Sequence, residues 1–249
     1  MVAANLRERI VDGTLPDGGD LPTLDRLVQE FSVSPPSVRE ALRILENERL
    51  ITVRRGSVGG AVVHRPKPEA AAYMMGLVLQ ASQTRTVDLA VALTELTTVC
   101  AGLCARRTDR RKKVVPALRR ANTKLIENID DAVEMEKWAR QFHNELIHGC
   151  GNETLILVAS TLEQLWARQS AAWTYRVTHA EEAPGSDLRR RGFEEHGAIL
   201  DAIEAGEAEL AEKLYREHVH SPEIYSVRKR DARVRATDIV WGAPGNASA

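Results

Sequence analysis

Aromatic residues are scarce: Phe, Trp and Tyr together make up 4% of the 249 residues. Cores built without them rest on Leu, Val, Ile and Ala, which leans towards helix rather than β-sandwich. An excess of one charge is lacking too. The formal net charge is -1, which excludes a protein that coats nucleic acid through bulk positive charge and leaves that argument to local clusters. Cysteines are few. Cys100, Cys104 and Cys150 are odd in number and widely spaced, unlike a secreted disulfide framework. Cys100 and Cys104 sit four apart in an apolar helical segment and read as buried core thiols. No stretch reads as the ~20 apolar residues of a membrane span, and the N-terminus has no apolar leader. A cytoplasmic protein with no membrane partner is expected. Hydrophobic residues at 43% and charged residues at 28% supply enough for one large domain or two modest ones.

Residues 1–63 hold three short helical patterns and a strand pair. The first runs from Ala4 to Val11. Thr23 can cap the second, which carries Leu24, Leu27, Val28 and Phe31 on one face. After a turn at Ser32-Val33-Ser34, the third starts near Pro35 or Pro36 with Ser34 as its cap; proline is tolerated in a first turn because its missing N–H needs no partner there. Val38, Ala41, Leu42 and Leu45 form its buried stripe. Residues 50–53 and 61–63 read as a hairpin joined by a glycine-containing turn. Helix, helix, turn, helix, hairpin is the winged helix-turn-helix plan. Residues 64–74 read as a linker and the start of the first bundle helix. Beyond them helices are expected near 69–82, 87–107, 110–127, 131–149, 153–178, 187–204 and 207–220. The fold class is therefore mainly α: an N-terminal winged helix-turn-helix followed by an all-helical bundle of six or seven antiparallel helices over 75–228. Residues 229–249 lose periodicity and read as a flexible tail, with Trp241 able to dock it.

Local charge singles out a DNA-facing surface. Over residues 34–67, seven cationic residues (Arg39, Arg43, Arg49, Arg54, Arg55, Arg65 and Lys67) oppose Glu40, Glu46 and Glu48, whereas residues 1–33 are acidic overall. Positive charge concentrated on the third helix, the wing and the exit linker suits phosphate contact from one face. Arg39 and Arg43 stand four apart and point the same way. Arg39 is the first candidate for a base edge or its neighbouring phosphate. Ser34 and Ser37 can offer hydroxyls. Arg54 and Arg55 at the wing reach backbone or minor groove, and Gly56 permits the close approach.

Three histidines stand on separate predicted helices: His143, His196 and His218. Neutral imidazoles so placed can converge on one Zn²⁺ or Ni²⁺, or they can be satisfied core and surface residues; spacing alone leaves both open. His148 and His220 fall off that helical face, and Asn152 reads as a helix cap.

The stretch "LPTLDRLVQEFSVSPPSVREALRILENERLITVRRGSVGGAVV" resembles the DNA-binding head of the GntR family. The segments "FHNELIHGCGN" and "EEHGAILDAIEAGEAELAEKLYREHV" continue the likeness to its fatty-acid-responsive-regulator (FadR-like) subfamily with an FCD-type C-terminal domain. That resemblance implies a homodimer that binds double-stranded operator DNA. It also implies a small organic effector, a carboxylate among the candidates, held at His143, His196 and His218 around a divalent metal. Two departures touch the head: Asp25 and Pro35 stand where the family usually has arginines that grip DNA. A third touches the sensor: Ala139 stands at the usual aspartate ligand, one turn before His143, which weakens a metal such as Zn or Ni. The implied function is a ligand-responsive transcriptional regulator, a repressor released by its effector, with activation the other possible sign. The sensor is then a metal-supported pocket, a metal-free pocket for an organic ligand, or a bundle that senses nothing. The alternatives are a ligand-binding or scaffold protein with a repurposed head and, further off, a metal-dependent enzyme. No general acid or base is placed beside the three histidines, so no enzyme is expected.

Overall fold

The computed structural model describes residues 1–54, 60–178, 186–219 and 232–236. The chain divides into two compact units, Met1–Ala70 and Ala71–Ala249, and the division falls within the stretch 64–74.

In the first unit, α1 (Val2–Val11), α2 (Leu24–Phe31) and α3 (Pro35–Asn47) precede β1 (Ile51–Val53) and β2 (Ala61–Val63). Thr23 caps α2 as expected, its Oγ1 accepting from the Arg26 N–H. Ser34 makes no such cap bond; its hydroxyl instead meets that of Ser37 at 3.0 Å. Pro35 and Pro36 fill the first helical turn, where no intrahelical N–H bond is lost. The strands pair antiparallel with Ile51 opposite Val63 and Val53 opposite Ala61. One pairing has no hydrophobic signal. The loop at 18–21 lies along β2, with the Gly18 and Leu21 N–H groups donating to the Val63 and Ala61 carbonyls. Gly18 has a φ of 76°, which glycine adopts at no steric cost. Leu6, Ile10, Leu27, Val38, Leu45 and Val63 are fully buried and close one small core.

The division falls in the first turn of α4 (Pro68–Ala81); the second unit then contains α5 (Thr86–Arg106), α6 (Arg110–Lys113), α7 (Val115–Glu127), α8 (Ala132–Gly149), α9 (Glu153–Thr178), α10 (Ser186–Ala205) and α11 (Ala208–Val219). The expected single helix over 110–127 is broken at Val114, because Pro116 cannot donate its N–H to the turn before it. Asn152 caps α9 as expected: its Oδ1 accepts from the Leu155 N–H at 3.0 Å. The axis of the unit is α5, which packs against α8, α9, α10 and α11. Contrary to the reading of the sequence, α5 is long and apolar enough to cross a membrane by length and composition. More than half of that stretch is buried inside the protein, so it serves as the core helix of the bundle. Cys100 and Cys104 are buried free thiols, as expected, and Cys150 is buried and free too; burial pushes the Cys100 thiol up to about 12 and Cys104 in the same direction.

The C-terminal stretch differs from a flexible tail over residues 232–236. The Thr86 N–H donates to the Ala232 carbonyl and the Val234 N–H to the Thr84 carbonyl. Val234 and Ala236 are buried against Leu89, Leu93, Leu162 and Leu165. Ala232, Val234 and Ala236 alternate with Arg233 and Arg235, but five residues are too short for that alternation to stand out from chance, so only tertiary packing reveals them. Trp241 lies outside the described residues.

Candidate functional site

The recognition surface of the first unit is built on α3. Val38, Ala41 and Leu45 turn inwards, and Ser34, Ser37, Arg39 and Arg43 stand exposed on the remaining face. The acidic residues nearby are largely engaged elsewhere. Glu48 takes a two-point bond from the Arg7 guanidinium, which holds its carboxyl below the usual range. Glu46 accepts from the Val53 N–H. Glu40 approaches the cationic face, at 3.8 Å from Arg43 with both side chains mostly exposed, a contact of little energy. Arg39 makes no hydrogen bond or ion pair among the described residues. Arg54, at the start of the wing, pairs with Asp20 at 3.0 Å. Arg55 and Gly56 lie outside the described residues. Asp25 is exposed in the first turn of α2, where a carboxylate favours the helix dipole; that gives it a role in stability whatever it does to phosphate.

The second candidate site is inside the bundle. His143 on α8, His196 on α10 and His218 on α11 meet there, and their ligating nitrogens all lie within 4.8 Å of one another. His196 and His218 are 2% and 3% exposed. The helices that carry them have apolar inner faces, with Phe142, Leu146, Ile199, Ile203 and Ala211 in one core. Phe142 stacks on His196 with ring centroids 4.0 Å apart. The His196 and His218 Nε2 atoms are 3.1 Å apart. Burial, then the neighbouring imidazoles of His218 and His143, pushes His196 well below its ordinary value, so its ring is neutral near pH 7.

Two polar partners of this cluster escaped the sequence reading. The Tyr215 hydroxyl meets His143 Nδ1 at 3.1 Å, and His218 Nδ1–H donates to Glu195 Oε2 at 2.7 Å. That bond holds the Glu195 carboxyl below its usual range. Tyr215 stands three residues before His218, on the same helix face, a spacing that could have flagged it. Glu195 adjoins His196 in sequence yet bonds a histidine of another helix, so no spacing rule points to it. His148 is exposed and bonded to the Asn144 carbonyl, off the cluster as expected, and His220 lies outside the described residues.

Geometry and donors fit a divalent ion. Two nitrogens bound to one tetrahedral Zn²⁺ stand roughly 3.3–3.4 Å apart, close to the spacing of the two Nε2 atoms, and the widest spacing in the cluster must contract by roughly 1.5 Å. His196 Nδ1 is buried without a hydrogen-bond partner, so the ring is held by stacking and by its other nitrogen alone.

Comparison with known proteins agrees with both halves. Residues 1–62 match the bacterial regulatory proteins of the gntR family, and residues 88–221 match the FCD domain. The chain is 28% identical to the Uxu operon regulator of Haemophilus influenzae over 230 residues, covering 88% of this chain and 78% of that one. It is 44% identical to the gluconate operon transcriptional repressor of Bacillus licheniformis over 62 residues, 25% of this chain and 24% of that one. Among solved structures, Streptococcus agalactiae GntR aligns over 92% of this chain and 98% of its own, at 20% identity and a TM-score of 0.59, a likeness of fold. A winged helix with an open cationic recognition helix, followed by an FCD bundle, places this chain in the GntR family as a ligand-responsive, DNA-binding transcriptional regulator.

Proposed function

We propose that the protein is a dimeric operator-binding repressor released by a small organic acid, and that His143, His196 and His218 are its sensing centre. The observation that carries this reading is the convergence of three imidazoles from α8, α10 and α11 in the interior of the FCD bundle. Buried imidazoles cost free energy unless their nitrogens find partners, and an ion held between the three rings would answer them.

The three histidines would hold a divalent ion such as Zn²⁺ or Ni²⁺, which when bound supplies a positive centre for a carboxylate. Ala139, one turn before His143, adds no negative charge of its own. The net positive charge of such a centre then favours an anionic effector. The 44% identity to the gluconate repressor covers the head alone, so it supports repression and carries nothing about the effector.

In the head, Arg39 reads a base edge or its neighbouring phosphate, with Arg43 and Ser37 on the same helix and Ser34 just before it. Arg54, Arg55 and Gly56 serve the flanking backbone. Two copies are needed for two half-sites about one helical turn apart. Exposed Met74 and Val78 on α4 and Val91 and Val99 on α5 supply apolar surface for a second copy to cover. Release follows if the effector binds one arrangement of the dimer better than the other, and only by that difference. Work on DNA places the protein in the cytoplasm.

Selection of genomic fragments by the purified protein, with native mass spectrometry of the same sample, tests the reading. A palindromic motif and one metal per chain are expected. No enriched duplex at low salt would overturn the operator assignment, and metal-free protein after incubation with Zn²⁺ would overturn the centre.

A further inference from the structure

We infer that Glu195 is the positioning residue of the histidine centre: its carboxylate fixes His218 with the Nδ1 proton turned outwards and the Nε2 lone pair turned towards His196. The inference rests on the reading of the three histidines as a metal centre.

The geometry makes the assignment. A carboxylate can only accept, so the 2.7 Å contact places the proton on His218 Nδ1. In the neutral ring Nε2 is then a bare acceptor, and it is this atom that lies 3.1 Å from His196 Nε2. Only one proton fits between the two Nε2 atoms. It must belong to His196, which leaves His196 Nδ1 as the bare nitrogen. That atom is the buried one without a partner, as this arrangement of protons requires. One carboxylate thus sets the tautomers of two rings. To offer both Nε2 lone pairs to an ion, His196 moves its proton from Nε2 to Nδ1, with no proton gained or lost by the ring.

Glu195 is itself held. Its other oxygen, Oε1, accepts from Arg191 Nε at 3.0 Å, one turn earlier on α10. Arg191 is more than half exposed, whereas the His218 side chain is 4% exposed. The outer pair is therefore screened by water and the inner bond is not. A carboxylate behind a ligating imidazole orients the ring and raises its basicity, and removing such a partner typically costs about 10–100-fold in metal affinity.

The test uses the full-length protein, Zn²⁺ as the probe, a competing chelator to read affinity, and ¹⁵N spectra of labelled histidine in the metal-free state. Glu195→Ala removes charge and acceptor; Glu195→Gln keeps an acceptor oxygen and nearly the same shape. Expected are a loss of Zn²⁺ affinity of about 10–100-fold for Glu195→Ala, a smaller loss for Glu195→Gln and a still smaller one for Arg191→Ala. In the wild-type spectrum His218 carries its proton on Nδ1, and in Glu195→Ala it shifts towards Nε2. A purely structural role would lower Tm while leaving tautomer and affinity at wild-type values, and that result overturns the inference. Wild-type protein that takes up no Zn²⁺ overturns the metal reading and the inference with it. Normal wild-type uptake with unchanged affinity in Glu195→Ala overturns the inference alone.

Discussion

The two units hold their functional side chains in opposite ways. In the head, α3 spends its inner stripe, Val38, Ala41 and Leu45, on a small core and leaves Arg39 exposed with no partner among the described residues. In the bundle, the histidines are themselves part of the core: His196 is stacked on Phe142, and His218 is bonded to Glu195. An exposed cation needs only a partner that arrives, and water solvates it meanwhile. A buried imidazole must have each nitrogen answered by the fold or bear the cost. Head residues should therefore be replaceable with little effect on stability, and bundle residues should not.

The largest effect expected is at His196. Replacing it by alanine removes the most buried ring of the three and should abolish stoichiometric metal, read by elemental analysis after Zn²⁺ loading. Metal-free His196→Ala should also be less stable than wild type, because the Phe142 face it covered loses its partner. Full metal content in this variant would break the comparison by placing the ion elsewhere. This half was the less legible one in the sequence. The three histidines could be named from helix placement and resemblance, but their meeting depends on how α8, α10 and α11 cross, which no local period encodes. Glu195 escapes for the same reason, whereas the spacing of Tyr215 to His218 on α11 is a local signal. By contrast, the order of the head's helices, the presence of its hairpin and the inner stripe of α3 follow from periods of 3.6 and 2 and are readable directly. The break at Val114 was also written in the sequence, as Pro116, and was passed over.

Arg39→Ala comes next. A lost base or phosphate contact of this kind costs about 1–3 kcal/mol in discrimination, read by fluorescence anisotropy on the selected operator. Its Tm should stay at the wild-type value because the side chain is exposed and makes no hydrogen bond or ion pair among the described residues. Arg190→Ala, on the exposed surface of α10 in the bundle, should change neither. If Arg39→Ala and Arg190→Ala lose the same small amount of affinity, α3 does not face DNA.

Val234→Ala sharpens the contrast from the other side. The side chain is 1% exposed among Leu89, Leu93, Leu162 and Leu165. Truncating it should cost about 1–2 kcal/mol of stability, seen as a lower midpoint in denaturant. Affinity for the operator should be unchanged in protein that is folded. An unaltered midpoint would mean that 232–236 adds nothing to the core it lies against.

The smallest effect concerns Arg54, a wing cation that already has a carboxylate partner. Its partner Asp20 is 3.0 Å away, and both side chains are more than half exposed. Exposed pairs of this kind are worth about 0–1 kcal/mol, so a phosphate has little to displace. Asp20→Asn removes the competing charge and keeps the size of the side chain. It should tighten binding to any duplex, operator or not, by less than about fivefold at low salt. The gain should fade as salt rises, because it comes from charge alone. A gain confined to the operator would give Arg54 a part in reading sequence. No gain at low salt would mean that Arg54, even without the Asp20 charge beside it, does not reach a phosphate, leaving that grip to α3 and the rest of the wing.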